Sequence, residues 1–206
     1  MAINYTVQAE VVDITSDTPS VEDAYLVDTN VWYWLTYPKA TSHTPSQISD
    51  YPGYLNRALG ASAKIYHSGL TLAELSHVIE KNELEIYERK SCSNIRITTK
   101  EFRHNHTGQR GRVVSEVEAA WVQVASLAEP LTITIDSLMA TAALNRLQAE
   151  KVDGYDLFIL ESMRSHGVVQ IITDDGDFST VPGIRVFTAN RSVIQSARAQ
   201  GRLVIR

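Results

Sequence analysis

Four carboxylates scattered along the chain, Asp28, Glu74, Asp156 and Asp175, stand where the surrounding pattern would bring them to one edge of a folded core. Asp28 directly follows the apolar run Ala24-Tyr25-Leu26-Val27, and Asp175 follows the apolar run that ends at Ile172. Glu74 lies one turn into a helical segment and Asp156 near the start of another. Gathered carboxylates raise one another's pKa and resist ionising. A divalent cation removes that conflict, and oxygen ligands without a His/Cys cluster favour Mg²⁺ or Mn²⁺ over zinc. Such a cation acidifies bound water and offsets charge on a phosphate in transfer, so the chemistry implied is phosphodiester hydrolysis.

Each acid also has a purely local reading. Asp28 could cap the helix after its strand. Thr71-Leu72-Ala73-Glu74 has the form of a capping box, in which Glu74 would serve backbone N–H groups. Asp153 is a natural N-cap with Asp156 three residues on, where an acid also suits the helix dipole. Asp175 and Asp177 could be turn formers around Gly176. The combination of all four acids, more than any one, favours a shared site.

The elements that must position them alternate between strand and helix. Strands are expected at 24–27, 64–70, 131–135, 168–172 and 184–187. Helices are expected from Val31 to Tyr37, from Ser46 to Ala61 with a break near Pro52-Gly53, from Thr71, from Glu116 to Ala128, from Ser137 to Glu150, from Asp153 to His166 and from Ser192 to Ala199. Gly167 stands where a C-terminal cap is expected. This alternation implies an α/β domain with a mainly parallel sheet covered on both faces. Ligands of such sheets bind beyond the carboxyl ends of the strands, where strand order changes, which is where Asp28 and Asp175 fall. Residues 1–23 are polar and mixed and read as an N-terminal extension, leaving 24–206 as one domain.

The net charge of −5 is unevenly spread. Residues 89–112 hold seven basic residues and one acid, a local +6 against −11 for the remainder. An acidic body with one basic insertion suits a protein that handles a polyanion through metal ions. Within it Arg103, His104, His106, Arg110 and Arg112 are candidate contacts to the phosphates of such a polyanion, RNA if the resemblance given below holds. The single cysteine, Cys92, excludes an intramolecular disulfide and a multi-Cys zinc site. No run approaches the ~20 apolar residues of a membrane span, and the N-terminus lacks a secretory pattern. A cytoplasmic location is the expectation.

The strings Leu26-Val27-Asp28-Thr29-Asn30, Thr71-Leu72-Ala73-Glu74-Leu75, Asp156-Leu157-Phe158-Ile159 and Thr173-Asp174-Asp175-Gly176-Asp177-Phe178 resemble, in order, the motifs of PIN-domain nucleases, and within them the VapC-type toxins. The resemblance runs from about Tyr25 to Asn190. It implies a three-layer α/β/α sandwich and an Mg²⁺- or Mn²⁺-dependent endoribonuclease. Asp28, Glu74, Asp156 and Asp175 would be the metal ligands, with Asp177 a supporting acid and Asn30 and Thr173 polar residues that orient the carboxylates. A protein antitoxin and a homodimer are implied by the resemblance alone.

Other constellations are weaker. His104-Asn105-His106 lacks the spread of an HNH metal unit, because its three residues are adjacent. Asp28-Thr29-Asn30 is similar to the start of an aspartyl-phosphate phosphatase, but those carry a second Asp where Asn30 stands. No Gly-rich Lys-Ser/Thr phosphate loop occurs. Trp32, Trp34 and Trp121 are more often core than base-stacking residues. The alternative to an enzyme is an RNA- or protein-binding module that keeps the fold.

Overall fold

A computed structural model describes residues 3–42, 44–91 and 96–206, so Cys92 and part of the basic insertion lie outside the described residues. The elements run β1 (Glu10–Asp13), β2 (Ala24–Val27), α1 (Thr29–Thr36), α2 (Pro45–Gly60), β3 (Lys64–Ser68), α3 (Thr71–Lys90), α4 (Thr99–Asn105), α5 (Thr107–Leu127), β4 (Glu129–Leu131), α6 (Ser137–Ala149), α7 (Asp156–Ser165), β5 (Gln170–Ile172), β6 (Arg185–Thr188), α8 (Arg191–Ala199) and β7 (Leu203–Val204). The strands form one sheet in the order β4-β3-β2-β5-β6-β1-β7, and each pairing is parallel.

Parallel strands need helical crossovers, and these cover both faces. Tyr25 and Val27 of β2 pack with Trp32 of α1, Tyr54 of α2, Ile79 of α3 and Val124 of α5. Leu26, pointing the other way, packs with Ala143 of α6 and Leu160 and Met163 of α7. Val11 of β1 meets Val193 and Ala197 of α8 on that second face. The result is the expected α/β/α sandwich. No helix among the described residues is long and apolar enough to cross a membrane.

Several boundaries differ from the sequence reading. The segment before Ala24 is not merely an extension, because β1 fills the place between β6 and β7. Its four residues are too few for alternation to register, and Val11 and Val12 are both buried. β4 ends at Leu131, and Ile135 is exposed. α2 continues through Pro52, with Pro45 in the first helical turn, where its missing N–H costs nothing. In the basic insertion, α3 extends to Lys90, while α4 and the start of α5 occupy 99–112. The Thr98/Glu101 capping box starts α4, and Phe102 and Val113 bury themselves against Leu84.

The last residue locks the rim of the sheet. The Arg206 guanidinium donates to Asp17 at 2.8 Å and to Asp23 at 2.5 Å, and also to the Tyr25 hydroxyl. It lies 4.7 Å from the centre of the Phe187 ring. Burial opposes charge on Asp23, yet Arg206 and the Ser20 amide hold its carboxyl well below the ordinary range. Arg206→Ala strands two buried carboxylates, so a loss of about 3–5 kcal/mol in urea unfolding at neutral pH is expected. A depressed acid stabilises above its unfolded pKa and loses that contribution as pH falls through the folded value. The gap between variant and wild type should therefore shrink below about pH 4, and a pH-independent gap would count against the ion pair as its origin.

Candidate active site

The chain passes from β2 through β3 and β4 on one side, then returns to β5 and β6 on the other, so strand order reverses between β2 and β5. Their register pairs Val27 with Ile172. The residues that follow, Asp28 and Thr173, are thereby brought together at the carboxyl edge. Thr173 Oγ1 donates to Asp28 Oδ2 at 2.5 Å and accepts from the Asp175 amide at 2.9 Å. Asn30 Nδ2 donates to the same Asp28 oxygen at 2.8 Å, and the Thr29 amide donates to Asp28 Oδ1 at 2.6 Å. Asp28 therefore caps α1 and is also oriented by Asn30 and Thr173.

Glu74 does not serve a capping box. The residue before α3 makes no side-chain cap bond, and Thr71 Oγ1 is buried without a partner. Glu74 Oε2 instead accepts from Thr29 Oγ1 at 2.6 Å, across the site. Asp156 opens α7, whose first turn also lacks a side-chain cap. The loop after Thr173 is held from outside: Asp174 accepts from Gln47 Nε2 and from the Tyr51 hydroxyl, both at 2.6 Å. Its backbone carbonyl accepts from Asn190 at 2.8 Å. Asp174 is thus an anchor and not a cavity acid. Gly176 lies under Tyr5, where a Cβ would come within 2.2 Å of the ring. A side chain here would displace the Tyr5 ring, and the contact ties the N-terminal segment to the loop that carries Asp175 and Asp177.

Asp28, Glu74, Asp156 and Asp175 line one cavity of ≈ 670 Å³, together with Asp153, whose place in the sequence marks only a helix cap. Burial, then the neighbouring Glu74 and Asp175, push the Asp28 carboxyl up to about 7. Burial, then Asp28, Asp175 and Glu74, push Asp156 up to about 8. Burial also raises Glu74, Asp175 and Asp177. None of the ion pairs among the described residues involves these acids. Asp177 stands next to the cavity and not in its wall, its amide bonded to Asp175 Oδ1 at 2.9 Å.

A family profile of the PIN domain matches residues 25–184. The chain belongs to the PIN domain family. PIN domains are nucleases as a family, and they characteristically work with divalent metals. No curated protein matches the chain. The matched span of this PIN domain carries Asp28, Glu74, Asp156 and Asp175 and ends just before β6, so β1, β6, α8 and β7 lie outside it.

The donor chemistry of the PIN domain's cavity fits a hard divalent cation. The acids are all oxygen ligands, none of them is in an ion pair among the described residues, and the Asn30 carboxamide oxygen in the cavity wall is buried without a donor. Among the described residues no group of three or more His, Cys, Asp or Glu side chains is placed so that it could hold a metal ion as it stands. The structure thus supplies an acid-lined cavity and not a preformed ligand cage.

The basic residues singled out by sequence lie elsewhere. Arg103 and Arg110 both bind the buried Glu80, Arg103 through two donors. The His106 ring packs on Tyr87 and Phe102, and its Nδ1 lies 3.2 Å from the Tyr87 hydroxyl. His104 and Arg112 are exposed on α4 and α5. None of the five lines the cavity of the PIN domain. Lys81 does, and its signal was in the sequence: it follows Glu74 by seven residues, two helical turns on the same face.

Proposed function

We propose that this PIN-domain protein is an Mg²⁺- or Mn²⁺-dependent endoribonuclease that hydrolyses RNA phosphodiester bonds. The observation that carries the reading is the convergence of Asp28, Glu74, Asp156 and Asp175 on one cavity, where burial raises all four, the neighbouring acids add to the rise at Asp28 and Asp156, and none of the four is in an ion pair among the described residues. These four would hold the cation, and Asp177 would support Asp175. When bound, the cation supplies charge neutralisation for the acids and the phosphate, and acidity to a coordinated water. Asn30 and Thr173 fix the Asp28 carboxylate by donating to it, and Thr29 does the same for Glu74. The Asp174 anchor holds Asp175 at the cavity edge.

The toxin of a toxin–antitoxin pair is the biological setting that the order of motifs favours. An antitoxin protein bound over the cavity, and a homodimer, belong to that setting and rest on the same motifs.

The deciding experiment incubates the full chain with single-stranded RNA and, in parallel, single-stranded DNA, in Mg²⁺ or Mn²⁺. RNA cleavage is expected, abolished by EDTA and reduced roughly 100-fold or more in Asp175→Asn. Cleavage that survives EDTA would remove the metal from the proposal. An intact wild type that binds RNA without cutting it would favour the non-catalytic module, and preferential cutting of DNA would move the substrate.

A further inference from the structure

The acid cavity is not closed at its α3 side. Glu74, Val78, Lys81 and Glu85 recur along one face of that helix, and all four line it. A second hollow of ≈ 600 Å³ shares Lys81 and Glu85 with it and continues to Arg96. A third, of ≈ 490 Å³, shares Glu74, Val78 and Tyr155. His77 lines both outer hollows, so the three join around the exposed face of α3.

The cations around these hollows are of two kinds, Arg103 of α4 lining the third and Lys81 and Arg96 the second. Arg103 and Arg110 are held by Glu80, whereas among the described residues neither Lys81 nor Arg96 has a carboxylate within ion-pair distance. Of the acids nearby, Glu88 is engaged by the Ile97 amide at 2.9 Å, and Glu85 is exposed. Tyr155 is 51% exposed, beside Asp156, at the junction of the cavity and the third hollow. Seven residues of helix place Lys81 ~10.5 Å along the axis from Glu74. That is too far for both to meet one phosphate, and suits contact with a neighbouring one.

We infer that the strand flanking the cut site leaves the cavity across α3, with an unpaired base on the Tyr155 ring and successive phosphates on Lys81 and Arg96. The ligand is single-stranded RNA, because a ring platform requires a base free of its partner. The inference rests on the nuclease reading of the cavity. It moves the phosphate contacts from Arg103 and Arg110, which share the one Glu80 carboxylate, to two cations with no carboxylate partner among the described residues.

The test is fluorescence anisotropy of a labelled single-stranded RNA of about twelve nucleotides. It is titrated in Mg²⁺, over a series of KCl concentrations, with the full chain carrying Asp175→Asn to suppress cutting. Adding Lys81→Ala and Arg96→Ala together should flatten the slope of log affinity against log salt by about 1.4, roughly 0.7 for each phosphate contact. Adding Arg112→Ala, on an exposed cation outside the hollows, should leave it unchanged. Tyr155→Ala should weaken binding roughly tenfold and Tyr155→Phe should restore it.

An unaltered slope in the double variant, an equal effect of Arg112→Ala, or no measurable binding by the Asp175→Asn parent each overturns the inference. Failure of the nuclease reading looks different. There the wild type leaves this RNA uncut in Mg²⁺ and Mn²⁺ while the variants still change the slope as expected.

Discussion

Asp156→Asn should stabilise the metal-free protein in alkaline solution while removing its activity. Burial and the neighbouring acids raise the Asp156 carboxyl to about 8, against ~3.9 in an unfolded chain. Between those values the folded state holds a proton that the unfolded state has released. Stability therefore falls as pH rises from about 4 to about 8, and the penalty is complete above that. A neutral amide escapes it. Allowing for partial exposure and for the coupling to Asp28, the gain at pH 9 is on the order of 2 kcal/mol, or ~4–8 °C in melting temperature. Thermal unfolding of both proteins in EDTA, at pH 4 and pH 9, measures it. The advantage of the variant should widen with pH, and a constant or reversed difference would show that Asp156 is not strained by its neighbours. In RNA cleavage the same variant should lose roughly 100-fold or more. A residue that weakens the fold and is indispensable to the reaction is the usual mark of a site built for a ligand.

The converse experiment adds the cation. A ligand that binds only the folded state stabilises it by about 2.7 kcal/mol at one hundred times its Kd. For a chain of this size that corresponds to a rise of ~5–11 °C in melting temperature. Mn²⁺ should produce such a rise in wild type, and Asp28→Asn should largely abolish it, since Asp28 is bonded to Thr29, Asn30 and Thr173 at the centre of the cluster. Asp174→Asn tests specificity, because Asp174 faces Gln47 and Tyr51 and not the cavity. It should lower the melting temperature with and without Mn²⁺ while leaving most of the Mn²⁺ increment. No increment in wild type at millimolar Mn²⁺ would separate this protein from the metal chemistry of its family.

How much of this was legible in the sequence depended on the range of each contact. Asp28 and Asp175 were visible because an apolar strand of adjacent residues announces where its end must be. The strand and helix alternation gave the sandwich for the same reason. Glu74 was harder, since Thr71-Leu72-Ala73-Glu74 spells a capping box, and only a partner 45 positions away, Thr29, reveals its orientation. β1 escaped because Glu10 pairs with Arg185, at the other end of the chain. The basic insertion misled in another way. Local charge made Arg103 and Arg110 look available, and their pairing with the one Glu80 carboxylate depends on α3 lying beside α4 and α5.

β1 carries one more implication. It is the seam between β6 and β7, and it precedes the span that the family profile matches. A chain shortened to begin at Ala24 would present two bare parallel edges, each with unused amides and carbonyls able to recruit a strand from another molecule. Residues 10–13 thus occupy the edges that such pairing would use, and the boundary drawn by family likeness falls inside the sheet.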